Sequence, residues 1–97
     1  MMFLVELHQT GADFDRSLPL EEQSLWDEHA KFMDDLVDAG FIVLGGPLRG
    51  GPRVVHAIEA DSEDEIRATF ARDPWSETHL RIAAIEPWTI RLDGRQR

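Results

Sequence analysis

Four histidines (His8, His29, His56 and His79), the triplet Asp73-Pro74-Trp75 and a glycine-rich run from Gly45 to Pro52 are where chemistry could reside in this 97-residue chain. His29 stands out. It falls four residues after Leu25, three before Phe32, four before Met33 and seven before Leu36, the middle of the apolar stripe of a helix. Asp27, Glu28, Lys31, Asp34, Asp35 and Asp38 lie elsewhere around that helix. A histidine aimed inward must pair its nitrogens. It is either a core residue bonded to a backbone carbonyl or a general base or acid, a role that imidazole fills near neutral pH. Asp73 has a similar duality. It precedes a proline just beyond a second helix, where aspartate commonly forms turns. A carboxylate that reached His29 would instead fix the tautomer of the ring and stabilise the imidazolium, as in any His-Asp dyad.

The glycine run nearly repeats itself, GGPLR then GGPR. It reads as a hairpin connection, or as backbone stripped of side chains so that a small ligand approaches Gly45, Gly46 and Pro47, with Arg49 and Arg53 holding an anionic group. It is not a phosphate-binding loop, because the lysine and hydroxyl that should follow are missing, and no dinucleotide fingerprint is present. The histidines share no helical i, i+4 pair and no HxH spacing, so no metal site is expected. Trp26, Trp75 and Trp88 read as core or interface residues rather than as a stacking platform.

These residues need elements to position them. Residues 2–8 alternate as a strand, with Phe3, Val5 and Leu7 on one face and Leu4, Glu6 and His8 on the other. A polar loop over 9–16 is long enough to fold over something. Ser17 serves as an N-cap, with Pro19, Glu21 and Glu22 in the first turn, for a helix over 18–39 that stops at Gly40. Residues 41–44 form a short strand apolar on both faces, and 53–60 form a third. Ser62 and Glu65 make a capping box for a second helix, which runs with Ile66 and Phe70 inward to Arg72 and ends at Asp73-Pro74. The last strand covers 80–92, with Pro87 marking an edge or a bulge. Residues 1–92 form one domain and 93–97 a frayed tail. The order βαββαβ is the ferredoxin-like α+β arrangement, a four-stranded antiparallel sheet with two helices on one face. Its second face remains apolar, through Val54 and Ile58 against Val55 and Ala57, and through Ile82 and Ala84 against Ala83 and Ile85. A patch of that kind calls for a cover, and a second copy of the sheet is the simplest, so a homodimer is expected.

Composition narrows the partners. Ten Lys and Arg against nineteen Asp and Glu give a formal charge of −9, which repels nucleic acid and anionic lipid surfaces. Zero cysteines exclude disulfides, thiol catalysis and cysteine metal sites. Met1 to Val5 has no basic region and its apolar run ends at Glu6, so a cytoplasmic location without a membrane partner is expected. The acids concentrate on the two helices. Arg49, Arg53, Arg72, Arg81 and Arg91 gather instead around the glycine run, the Asp-Pro turn and the last strand, leaving room for an anionic small molecule.

Taken together, Trp26-Asp27-Glu28-His29-Ala30-Lys31-Phe32-Met33 followed by Gly40, then Val43-Leu44-Gly45-Gly46-Pro47-Leu48, Asp73-Pro74-Trp75 and Glu86-Pro87-Trp88 resemble the YCII-related (YciI-like) family. The resemblance runs from the first strand to Trp88. It implies a ferredoxin-like fold assembled as a dimeric α+β barrel similar to muconolactone isomerase, with the family's His-Asp pair at His29 and Asp73. Pro74 and Trp75 of the matching motif join Gly45, Gly46, Pro47, Arg49 and Arg53 as expected substrate-binding residues. Most members have no known reaction. One branch removes chloride from a chlorinated hydroxyquinone, which implies acid-base chemistry on small cyclic substrates without a cofactor. One position departs from the pattern: where members usually carry a glycine before the last strand, this chain has Thr78-His79-Leu80. If a positive φ is needed there, His79 bears the strain or the turn is reshaped, and His79 becomes a candidate second titrating group. The expected function is a lyase, isomerase or dehalogenase-like enzyme on a small cyclic or enolisable substrate, with backbone amides near Gly46 and Arg49 or Arg53 steadying negative charge. The alternative is a non-catalytic small-ligand-binding or accessory dimer domain.

Overall fold

A computed structural model of the chain describes residues 1–96. Strand β1 (Met2–His8) is followed by helix α1 (Trp26–Asp38), strands β2 (Ile42–Pro47) and β3 (Arg53–Glu59), helix α2 (Glu63–Phe70) and strand β4 (Arg81–Pro87). The strands form one antiparallel sheet in the order β2-β3-β1-β4. This is the ferredoxin-like βαββαβ arrangement the sequence predicts. Phe3, Val5 and Leu7 of β1 and Val54 and Ile58 of β3 are buried on the face that Ile66 and Phe70 of α2 and Met33 and Leu36 of α1 cover. No helix among the described residues is long and apolar enough to cross a membrane.

Two bulges overturn the simple alternation expected for the edge strands. In β4, Leu7 pairs with Ile82 and Glu6 with Ala84, so Ala83 is extra and both Ile82 and Ile85 turn to the core. In β2, Ile42 pairs with Ile58 and Leu44 with Ala57, which leaves Val43 extra. Ile42 is therefore buried while Leu44 is 68% exposed on the far face, so this strand is not buried on both faces within one chain. Pro87 closes edge strand β4, and after a bond from Trp88 N to Met2 O the chain leaves the sheet instead of continuing to residue 92. Gly94–Gln96 form a 3-10 turn where a frayed tail was expected, and Arg97 of that tail lies outside the described residues.

The first helix starts eight residues later than the sequence suggests. Leu20–Glu22 form only a 3-10 turn, and Leu25 has a left-handed backbone, φ 61°, immediately before α1. The reason lies in Gln23 and Ser24. The Gln23 amide donates to the carbonyls of Asp15 and Leu18 and accepts from Asp15 N, and the Ser24 carbonyl accepts from the Trp75 indole, so these residues serve the loop rather than a helix. Ser17 caps neither the 3-10 turn nor α1; its amide and hydroxyl donate to the Asp15 carboxylate in a local turn. The other punctuation holds. Gly40 has φ 79° at the end of α1, and Ser62 accepts from Glu65 N while the Glu65 carboxylate accepts from Asp61 N at the start of α2.

Candidate active site

The two roles posed for Asp73 are both filled by one carboxylate. Beyond α2 its Oδ1 accepts from the Trp75 amide at 2.9 Å, which makes the Asp-Pro turn. The same carboxylate meets Nδ1 of His29 at 2.9 and 3.0 Å. Both residues are buried, His29 at 7% exposure, so the pair is shielded from solvent. A carboxylate only accepts, which puts the proton on Nδ1 of His29 and the lone pair on Nε2. Nε2 has no hydrogen-bond partner among the described residues. Among the described residues the one buried side-chain nitrogen or oxygen without a partner belongs to His56, so Nε2 of His29 retains contact with open space.

Trp75 fixes the ring plane. Its indole lies parallel to the His29 imidazole, with centroids 3.9 Å apart and 4° between planes. Its other face meets His79 at 4.7 Å and 10°, and its Nε1 donates to the Ser24 carbonyl. Trp26 leans on both His29 and Trp75, while Phe14 meets Trp75 edge-on. Buried between two imidazoles, Trp75 orients the histidine; it does not present a face to substrate.

His79 is likewise committed to structure. Thr78 Oγ1 donates to the Pro74 carbonyl and so accepts from Nδ1 of His79, which leaves Nε2 to accept from the Ser24 hydroxyl. Burial pushes this imidazole below its ordinary pKa, with the His29 charge adding to that and Asp13 and Asp73 opposing it. His79 thus braces the turn, with both ring nitrogens engaged. The strain proposed for it falls elsewhere: the left-handed residue of this turn is Glu77, φ 63°, and the turn is reshaped around it. The loop over 9–16 does fold over something. Gly11 N donates to His79 O and Asp13 N to Thr78 O, and a Cβ on Gly11 would lie 2.2 Å from the Thr78 carbonyl oxygen. Only glycine permits this approach.

The expected substrate-binding residues are not all brought to His29. Gly45 is opposite His56, and a Cβ there would fall 1.8 Å from Nδ1 of that ring, so this glycine seats a histidine. Gly46 has open space at its Cβ position. Pro47 closes β2, and Arg49 is exposed in the turn beyond it. Arg53 is on the opposite face of the sheet, donating to Glu6 at 2.9 Å, and His8 meets the same carboxylate at 2.7 Å. Arg53 and His8 hold Glu6 below the usual carboxylate range. Of the other arginines expected near the site, Arg81 pairs with Glu77, and Arg72 lines a surface depression with Phe32, Asp35 and Leu36. A cavity of about 220 Å³ borders Asp73, walled by Leu7, Phe70, Leu80 and Ile82. No group of three or more His, Asp or Glu side chains among the described residues is placed to hold a metal ion.

Sequence reasoning passed over Ser24 and Gly11, and weighed His56 only as a metal ligand. The burial of His56 carried a signal, because it alternates with Val54 and Ile58 in a strand whose buried face those residues define. No family model matches the chain, and a search of curated proteins returns no match.

Proposed function

We propose that the protein is a cofactor-independent acid-base enzyme acting on a small cyclic or enolisable substrate, as a lyase, isomerase or dehalogenase-like catalyst, in which His29 moves the proton and Asp73 orients it. The observation that carries this reading is the buried His29–Asp73 pair, with Nδ1 engaged at 2.9 Å and Nε2 left open. Nε2 takes a proton from the carbon beside a carbonyl, and the C–H electron pair moves onto the carbonyl oxygen to give an enolate. Collapse of the enolate expels a leaving group such as halide from the adjacent carbon, or takes the proton back at another carbon. Asp73 stays ionised and balances the imidazolium throughout. Trp75 keeps the ring in plane while this happens. The resemblance to YciI-like proteins supports the same chemistry.

The active form in this reading is a cytoplasmic homodimer closed through the open sheet face. Leu44, Leu48, Trp88 and Leu92 are exposed there, and two shallow depressions on that face meet at Trp88. A second reading, a non-catalytic ligand-binding or accessory dimer, draws support from the depth of His29. A panel of cyclic ketones and halogenated hydroxyquinones, assayed for deuterium uptake from D2O and for halide release, separates the two. Turnover that His29→Ala reduces by roughly 10²–10⁴-fold, with the fold intact, is expected for the enzyme. Equal rates in both proteins reject it.

A further inference from the structure

The bonds that brace the turn before β4 also line up three side chains at a second place. Ser24 is exposed, and its Oγ is 2.9 Å from Nε2 of the fully buried His79. Nδ1 of that ring meets Thr78 Oγ1 at 2.8 Å, and Thr78 Oγ1 meets the Pro74 carbonyl at 3.2 Å. A carbonyl only accepts, so each proton along this line has one place: Thr78 donates to Pro74, Nδ1–H to Thr78, and the Ser24 hydroxyl to the lone pair of Nε2. A solvent-facing hydroxyl is thereby bonded to an imidazole base whose other nitrogen is oriented by a third group. Those are the parts that activate a serine nucleophile. The serine is held as firmly as the ring. Its carbonyl accepts from the Trp75 indole at 2.9 Å, the same indole that stacks on His79, and Leu25 after it takes a left-handed backbone, φ 61°, which a leucine disfavours. Strain of that kind persists where the surroundings over-determine the backbone, and reactive centres are such places.

We infer that Ser24, His79 and Thr78 form a second reactive centre, independent of the chemistry proposed for His29, at which Ser24 takes the acyl group of a small, uncharged, activated ester. Ser24 Oγ attacks the ester carbonyl carbon while its proton passes to His79 Nε2. The tetrahedral adduct collapses, the bond from carbon to the leaving oxygen breaks, and that oxygen takes the proton from Nε2, which gives an acyl-serine and a free alcohol or phenol. Water repeats both steps on the acyl-serine and releases the carboxylic acid. Burial holds His79 below its ordinary pKa, so Nε2 is free to accept a proton at neutral pH. The surroundings of the serine set the class of substrate. Glu21, Glu22, Asp27 and Glu28 flank it and are exposed, so an anionic ester is repelled, and the exposed Leu25 beside it suits a short apolar acyl group. Thr78 is neutral where a catalytic triad carries a carboxylate, so it orients the ring without balancing the imidazolium, and acylation is slow.

The test is mass spectrometry of the intact protein after exposure to p-nitrophenyl acetate at neutral pH, with peptide mapping to place the label and release of p-nitrophenolate followed alongside. An acetyl group on Ser24 is expected, accompanied by an initial burst of nitrophenolate. Both should be lost in Ser24→Ala, folded by circular dichroism. Thr78→Val, which leaves Nδ1 of His79 without its acceptor, should slow the acetylation several-fold, and Thr78→Ser, which restores the hydroxyl, should recover it. Acetyl groups on lysine or on another histidine with Ser24 bare, equal labelling of Ser24→Ala, a rate that Thr78→Val leaves unchanged, or no reaction with the ester overturns the inference, and none of these outcomes bears on His29.

Discussion

Asp73 shows how one carboxylate answers two questions at once. The sequence offers it as a turn former or as a partner of His29, and it is both, because Oδ1 is shared between the Trp75 amide and the imidazole. Asp73→Ala should therefore lose activity and about 3 kcal/mol of stability, since it strands a buried ring nitrogen and uncaps the turn, as urea unfolding would record. His56 makes a second prediction. Its folded pKa of about 4 lies below the ordinary 6.5 of the unfolded chain, so between those values the unfolded state binds a proton that the folded state does not. Stability then rises with pH across that window and falls on acidification, by on the order of 3 kcal/mol in all. His56→Phe should remove about one proton from the slope, read from urea midpoints between pH 7 and 4.5, while His79 keeps its contribution in the same direction. An unchanged slope would contradict the burial of a neutral ring. His29 was legible from helical spacing alone, whereas His56 was not. Its importance depends on the glycine opposite it, and that pairing follows from a bulged register that no local pattern announces.

Elements were legible where one face is apolar and obscure where side chains bond the backbone. Strand β1, strand β3 and helix α2 follow their alternation, stripe and capping box. The start of α1 does not, because Gln23 and Ser24 give their hydrogen bonds to the loop and to Trp75. Strict alternation fails in β2 and β4 because each carries one extra residue, and periodicity has no means of locating a bulge. The loop over 9–16 is part of the site's architecture, packed on the Thr78 and His79 backbone through Gly11. Gly11→Ala should lift that loop and cost about 2 kcal/mol, with the environment of Trp75 and hence the tryptophan fluorescence altered. A variant with unaltered stability and fluorescence would show that the loop yields without consequence.

At the scale of the molecule much of the acidic charge is on the helices, as composition suggests, and the arginines are dispersed, with Arg53 beside Glu6 and Arg49 in the turn beyond β2. Three of them meet carboxylates, Arg53 on Glu6, Arg67 on Glu63 and Arg81 on Glu77. The open sheet face, with Leu44 and Trp88 exposed, predicts a dimer by light scattering at micromolar concentration and a monomer for Leu44→Arg. A wild-type monomer would remove the barrel from the account. The central claim, that His29 moves a proton held in register by Asp73, is met most directly by chemical rescue. His29→Ala, folded by circular dichroism, should lose turnover on a substrate of the wild-type enzyme and regain it, saturably, when free imidazole is added; turnover at the wild-type rate without imidazole would contradict the claim.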